Sequence, residues 1–313
     1  MFDPVLLRSL RAVIERRTVA AAAEHLGYTP SAVSQQLARL SREAGVELLV
    51  RRGRYLLPTE AARVLARAAD EMDATDARAK ARLEELQAEP VGTVTVAAFP
   101  SAVRGLLGES AARLARRFPK VSLIVHEAYP QDGVQEALDG SADLAVVHEW
   151  ERIAITIPAA LQSTMLGMDR VELIVPEDHR AARSSCVVVG DLPGERWITD
   201  TTGIYAAWLQ QSLEAARVPY QMVGLVDEHE SQISLTAHGL GLSLVPRLGR
   251  GPLPAGAVAL PLGDGAPQRR ILLVERTDVI NRPALRAVRD AVHETAFHTL
   301  SEATSEQHRG SQS

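Results

Sequence analysis

Between Thr29 and Arg54 the chain sets out side chains suited to hydrogen-bonding nucleic acid. Ser31, Ser34, Gln35 and Arg39 follow Thr29-Pro30 at spacings that share one side of a helix. Glutamine can meet an adenine edge with two hydrogen bonds, serine donates or accepts at several bases, and arginine suits guanine or phosphate. Further on, Arg51, Arg52 and Arg54 surround Gly53. Three guanidinium groups on a glycine turn suit phosphate or minor-groove contact. The chemistry on offer is recognition rather than bond-making.

The flanking sequence supplies elements to hold these groups. Thr18 can cap a short alanine-rich helix that Gly27 closes, and Thr29-Pro30 can open a second that runs to Gly45. In the second, Val33, Leu37 and Leu40 recur at i, i+4 and i+7. They form an apolar stripe, with the polar set on the other side. Two short helices about a glycine-containing turn form a helix-turn-helix, whose second helix offers its N-terminal residues to the major groove. Glu47 to Thr59 reads as two apolar runs around Arg-Arg-Gly-Arg, a hairpin with glycine at its turn. Taken singly, these are an ordinary surface helix and a solvated basic loop. Together, at this spacing, they are far more specific.

These segments resemble the LysR-type transcriptional regulators, and the resemblance covers nearly the whole length. It is carried by LLRSLRAVIERRT after Pro4, by AAAEHLGYTPSAVSQQLARL and by LLVRRGRYLLPTEAA. Looser matches follow in order: GTVTVAAFPS, LDGSADLAVV and ISLTAHGLGLSLVPRL. The family usually has Gln-Pro before the Ala-Val-Ser of the second helix, where this chain has Pro30 and Ser31. The usual arginine after that serine is Gln35, and the glycine after the hairpin is Ala62. The resemblance implies an α/β fold class with an N-terminal winged helix-turn-helix, a long linker helix and a periplasmic-binding-protein-like regulatory body of two α/β lobes. It also implies partners: double-stranded promoter or operator DNA, a small-molecule co-inducer, and a homodimer assembling to a homotetramer. RNA polymerase is a further partner open to such a regulator.

Whole-chain properties agree. A chain of 313 residues, 46% hydrophobic with mean hydropathy −0.03, can bury two or more cores. The net charge is −5, yet residues 1–65 carry ten arginines against six carboxylates, or +4, leaving −9 for the rest. A basic head on an acidic body suits a protein that touches phosphate with one end. No apolar run approaches the ~20 residues of a membrane helix and no signal peptide precedes the first helix, so a cytoplasmic location is expected. The single cysteine, Cys186, excludes an intramolecular disulfide and is expected to be a buried structural thiol at a strand start in SSCVVV.

Thr59 can cap a long helix, because Glu60 to Gln87 contains neither glycine nor proline. Leu65, Met72, Ala79 and Leu86 repeat every seven residues and read as a dimerisation seam. The alternative is packing against the chain's own body, and the resemblance favours the dimer. The expected organisation is a winged helix-turn-helix DNA-binding domain at 1–58, a linker and dimerisation helix at 59–89, and an effector-binding regulatory domain at 90–300. Within the last, lobe I takes about 90–165 and 270–300, and lobe II about 166–269. Residues 301–313 read as a disordered tail.

The body alternates short apolar strands with helices, which implies a parallel α/β sheet. Ligands in such sheets bind beyond the carboxyl ends of strands, at helix N-termini. That rule nominates Phe99, Pro100 and Ser101, then Tyr129 and Pro130, then His148, Glu149 and Trp150 after a strand at Leu144 to Val147. From the other lobe it nominates Thr199, Asp200, Thr201 and Thr202, and Glu228 with His229. The effector-binding set is Pro100, Ser101, His148, Thr201, Thr202 and Glu228. Ser101 and Thr202 are hydroxyl donors for a small anion such as a carboxylate, or simple helix caps. Glu228 and His148 could hold an amino group or pair with each other. An acid, an amino acid and an aromatic stay open as effectors. No Gly-x-Ser-x-Gly elbow, complete dinucleotide fingerprint or metal-spaced histidine set is present, so no enzyme, cofactor or metal is expected. The alternative function is a small-molecule binding protein or enzyme on the same periplasmic-binding-protein-like fold.

Overall fold

The computed structural model describes residues 2–53, 55–85, 89–150, 154–201, 204–263 and 265–310. The chain divides into two compact units between Leu83 and Glu84. The first contains α1 (Pro4–Arg16), α2 (Val19–Leu26), α3 (Pro30–Ala44), a hairpin of β1 (Leu49–Arg52) and β2 (Tyr55–Pro58), and most of α4 (Glu60–Glu85). Side chains meet the orphan amides at each helix start. Asp3 accepts from the Val5 amide at 2.9 Å, and Thr18 and Thr29 from Ala21 and Ala32 at 3.2 Å. Gly27 and Gly45 end α2 and α3 in the left-handed conformation, at φ 68° and 70°. The stripe of Val33, Leu37 and Leu40 turns inward onto Leu10 and Val13 of α1 and Ala22 and Ala23 of α2.

Thr59 ties the hairpin to α4. Its Oγ1 accepts from the Ala62 amide at 3.2 Å and lies 2.9 Å from the Glu47 carbonyl, to which it donates. The first half of α4 then belongs to this core: Ala62, Leu65, Ala69 and Met72 pack against it. Arg11 of α1 reinforces the contact with ion pairs to Asp70 at 3.1 Å and Asp73 at 3.0 Å. Two members of the expected dimerisation seam, Leu65 and Met72, are among these residues. Leu65 and Met72 are occupied within the chain, because a three-four spacing serves a neighbouring helix of the same unit as well as a partner helix. Ala79 is exposed, and Leu86 lies outside the described residues.

In the second unit β3 (Gly92–Ala98) leads into a helix made of α5 (Pro100–Ala102), a π turn at Val103–Leu107 and α6 (Gly108–Arg117). There follow β4 (Val121–Glu127), α7 (Pro130–Asp139), β5 (Leu144–Trp150) and the long β6 (Leu161–Pro176). The other lobe adds β7 (Arg196–Thr199), α8 (Ile204–Ala216), β8 (Gln221–Leu225), α9 (His229–Ala237), β9 (Leu242–Pro246) and β10 (Ala257–Pro261). The chain returns through β11 (Gln268–Arg276) to α10 (Pro283–Gly310). The strand order is β4-β3-β5-β11-β6-β9-β7-β8, with β10 on β6.

The sheet is mixed, not parallel throughout as expected. β3 is parallel to β4 and β5, and β7 to β8 and β9, whereas β11 and β6 run antiparallel to each other. The cause is topological: β6 leaves one lobe while β11 re-enters it alongside. Residues Leu161 to Arg170 of β6 pair with β11, and residues from Val171 onward pair with β9 and β10. One strand therefore serves both lobes.

Three local expectations change. β5 continues to Trp150, so His148, Glu149 and Trp150 lie within a strand rather than in the loop after it. Cys186 is exposed, while Val187 and Val189 turn inward at 6% and 3% exposure, a one-residue shift in the alternation. α10 runs to Gly310, into the segment read as a disordered tail, with no proline to stop it. The strap at Thr59 predicts that Thr59→Val, which keeps the shape but loses the cap and the hairpin bond, costs about 1–2 kcal/mol. Urea unfolding of the full chain checks it, and an unchanged first transition would discard the strap.

Candidate functional site

The first candidate surface is the outer face of α3. Thr29, Pro30, Ser31, Ser34 and Gln35 are all exposed, because the stripe on the opposite side is buried. Thr29 is occupied as the cap, and its hydroxyl serves the helix rather than a base. Arg39 is also engaged: its Nε meets Glu43 at 2.9 Å and its Nη1 lies 3.8 Å from Asp3. Ser31, Ser34 and Gln35 are presented outward, with the guanidinium of Arg39 exposed beyond them. The exposed Tyr28, in the turn before α3, and the exposed Arg42, in its last turn, were not singled out from sequence. On the hairpin, Gly53 takes φ 64° at the tip, and Arg51 and Arg52 are exposed beside it, with Arg51 Nε donating to the Gly53 carbonyl at 3.3 Å. Arg54 lies outside the described residues.

The second candidate is the interior where the two lobes meet. Its centre is Arg269 on β11, whose cross-strand partners are Trp150 on β5 and Asp169 on β6. Residues two apart on a strand share a face, so His148, Trp150, Arg269 and Asp169 lie on one side of the sheet. Arg269 donates to Asp169 Oδ2 from Nε at 2.8 Å and from Nη2 at 2.7 Å, and the two residues are 3% and 2% exposed. Nη2 also donates to Ser101 Oγ at 2.7 Å, and the other oxygen of Asp169 accepts from the Leu248 amide at 2.9 Å. The guanidinium stands 4.8 Å from the centroid of Phe99.

The lobes also touch through backbone. A Cβ on Gly249 would fall 2.2 Å from the Ser101 carbonyl, and one on Gly105 2.6 Å from a Leu248 methyl. Arg104 Nε donates to the Gly249 carbonyl at 3.0 Å. The π turn thus brings α5 against the loop after β9.

From Phe99 an edge-to-face series crosses both lobes. Ring centroids are 4.7 Å apart for Phe99–His148, 5.7 Å for His148–Trp150, 4.8 Å for Trp150–Tyr205 and 5.8 Å for Tyr205–His229. Burial, then the charge of Arg269, holds His148 down at about 3 and His229 at about 4. Burial also raises the Tyr205 hydroxyl above its usual range. Both imidazoles are therefore neutral. His148 Nδ1 and the Tyr205 hydroxyl are buried without a hydrogen-bond partner among the described residues.

The structure redistributes the nominated effector residues. Ser101 is buried and bonded to Arg269. Pro100 is the half-buried first residue of α5, and His148 faces the aromatic series. Thr201 is exposed, with its amide and hydroxyl both given to Asp227 at 2.7 and 2.6 Å. Glu228 is the cap of α9, accepting from Glu230 and Ser231, and is not paired with His148 as one expectation had it. Glu149 points to the other face of the sheet, onto Arg270 at 2.5 Å and the Ile155 amide at 3.0 Å. Thr202 lies outside the described residues. Sequence reasoning missed Arg269, Asp169 and Tyr205. The available signal was a charged residue set inside each of two apolar strands. Among the described residues, no group of side chains could hold a metal ion and no helix is long and apolar enough to cross a membrane.

The chain is similar to known proteins over nearly all its length. The family described as "LysR substrate binding domain" matches residues 87–296, and "Bacterial regulatory helix-turn-helix protein, lysR family" matches residues 5–63. The probable HTH-type transcriptional regulator LrrA of Synechococcus elongatus is 28% identical, covering 93% of this chain and 96% of its own. A full-length OxyR variant from Pseudomonas aeruginosa has the same fold with a TM-score of 0.63, 18% identity and 95% of each chain covered. Full-length CbnR complexed with its target DNA gives a TM-score of 0.52 at 18% identity, over 94% of this chain and 100% of that one.

Two outcomes follow from the buried groups. Asp169→Asn leaves the Arg269 charge uncompensated and is expected to cost about 3–5 kcal/mol. The double variant Asp169→Leu with Arg269→Met should cost less than that single change, and urea midpoints showing the reverse would refute the pairing argument. The histidines fix a pH dependence. An unfolded histidine takes a proton near pH ~6.5, whereas folded His148 and His229 refuse it until about 3 and 4. Their contribution is full above pH ~6.5 and falls away on acidification, by about 1 kcal/mol each at pH ~5.5. Relative to the parent, His148→Leu with His229→Leu should flatten the loss of stability between pH ~7 and ~5.5. Parallel pH curves would show that the two imidazoles are not the source.

Proposed function

The chain belongs to the LysR family of transcriptional regulators, and from that premise we propose how its residues divide the work of a DNA-binding, effector-responsive regulator. Ser31, Ser34 and Gln35 read base edges in the major groove. Thr29 and Pro30 set the start of α3, and the exposed Arg39, held by Glu43 on the same helix, meets guanine or phosphate at the end of the set. Arg51 and Arg52, with Arg54, hold phosphate or reach the minor groove from the hairpin. One observation carries this reading: in a single capped unit, the exposed polar start of α3 accompanies an arginine-tipped hairpin. The DNA-bound structure of CbnR supports it by the likeness of fold.

The remaining parts fit the same proposal. The later part of α4, where Ala79 and Leu83 are exposed, meets a second copy, and further assembly to a tetramer follows from the family. Dimers place two recognition helices on half-sites about one helical turn apart, or a multiple of it. The effector enters between the lobes, near Pro100, Ser101, His148 and Thr202, and biases their angle. It can do so only through different affinity for the two arrangements. Working on promoter DNA beside RNA polymerase, the protein acts in the cytoplasm.

Gel shifts against the DNA upstream of the chain's own gene test the division of labour. Gln35→Ala should lose about 1–3 kcal/mol of operator preference while keeping nonspecific binding. Arg52→Ala should weaken binding to every sequence and reduce the salt slope by about one. If the two variants behave alike, the assignment of base and phosphate readers fails.

A further inference from the structure

At the centre of the interior where the lobes meet, Arg269 and Asp169 cancel in charge, and the groups around them are rich in rings. We propose that the effector is an uncharged aromatic ring bearing a hydrogen-bonding group, received by the series Phe99, His148, Trp150, Tyr205 and His229, with its polar group on His148 Nδ1 and the Tyr205 hydroxyl. The inference rests on the reading above that the effector enters between the lobes, and it narrows the class of molecule.

Three observations exclude the carboxylate that the hydroxyls of Ser101 and Thr202 suggest on sequence grounds. The buried cation here, Arg269, is already neutralised by Asp169 through two hydrogen bonds, and its third contact occupies Ser101. An anion brought alongside would be a buried charge without a counter-charge, which costs several kcal/mol. Both histidines stay neutral at physiological pH, so neither supplies a positive charge. The half-buried Asp200, raised by burial and then by Asp227, adds the wrong sign near Tyr205. A cationic ring is disfavoured by the same desolvation cost, because the buried carboxylate of Asp169 is already taken by Arg269.

The positive case is the geometry. Trp150 contacts both rings that carry the unpartnered atoms, with centroids 5.7 Å from His148 and 4.8 Å from Tyr205. Buried polar atoms left without partners are costly, and a ligand that satisfies them gains what the unliganded site forgoes. Trp150 belongs to β5 and Tyr205 to α8, so their 4.8 Å contact joins the lobes. A ring inserted into the series must part rings that now touch, and this moves one lobe against the other. Binding and lobe angle are then the same event.

Benzoate, benzamide and benzylamine put an anion, a neutral amide and a cation on one ring. Isothermal titration of the full chain at pH ~7.5 should show benzamide binding at least about tenfold more tightly than either charged probe. Tyr205→Phe and His148→Leu should each weaken benzamide by about tenfold with the melting temperature essentially kept. Benzoate or benzylamine binding as well as benzamide, and losing affinity in both variants, would keep the cleft as the site but overturn the ligand class. Probe binding that neither variant changes would overturn the cleft reading itself, and absence of binding by all three probes would also overturn the proposal.

Discussion

The C-terminal unit is arranged around one interaction, the buried ion pair between Arg269 and Asp169. Removing two charges from water is expensive, and an isolated pair in a dry interior is no sure gain. Here the cost is offset by completeness. Each oxygen of Asp169 has a donor, and Arg269 reaches the carboxylate, a serine hydroxyl and the face of Phe99. The partners come from β6, β11, α5 and the loop after β9, so the pair joins both crossing strands to both lobes. It also sets the electrostatics of its surroundings. Burial, and after it the guanidinium, suppresses protonation of His148 and His229, while the carboxylate balances the charge of Arg269.

The N-terminal unit follows the opposite logic, keeping its charged groups toward solvent. Caps at Asp3, Thr18 and Thr29 satisfy helix starts, and left-handed glycines end α2 and α3. With the apolar stripe of α3 buried, its other side presents Ser31, Ser34 and Gln35 without any buried charge. Thr59 and the first half of α4 extend this core, with Arg11 bridging to Asp70 and Asp73. The linker helix is thus rooted in the DNA-binding unit for its first turns, and its outward residues begin later.

Legibility followed the range of the interactions. Helices α1 to α4, the hairpin and the outward face of α3 were readable because caps, left-handed glycines and periodicity act within a few residues. The strand β6 escaped notice because its halves face different neighbours, so its sixteen residues show no single alternation. Cys186 was misplaced by one residue, which is enough to exchange buried for exposed in an extended segment. His148 to Trp150 read as a loop because the strand that extends β5, namely β11, arrives from far along the chain.

By itself, then, the sequence determined the family, the exposed polar face of α3 and the presence of two α/β lobes, since these rest on local signals and ordered motifs. Only the tertiary structure decided what the lobes enclose. Ser101 reads as a free hydroxyl until Arg269 is set beside it, and Glu228 as a ligand until it caps α9. Arg269 and Asp169 read as isolated charges until antiparallel pairing brings them face to face. Charge cancellation, ring contacts and unpartnered polar atoms are properties of positions brought together from distant segments, and no spacing along the chain encodes them.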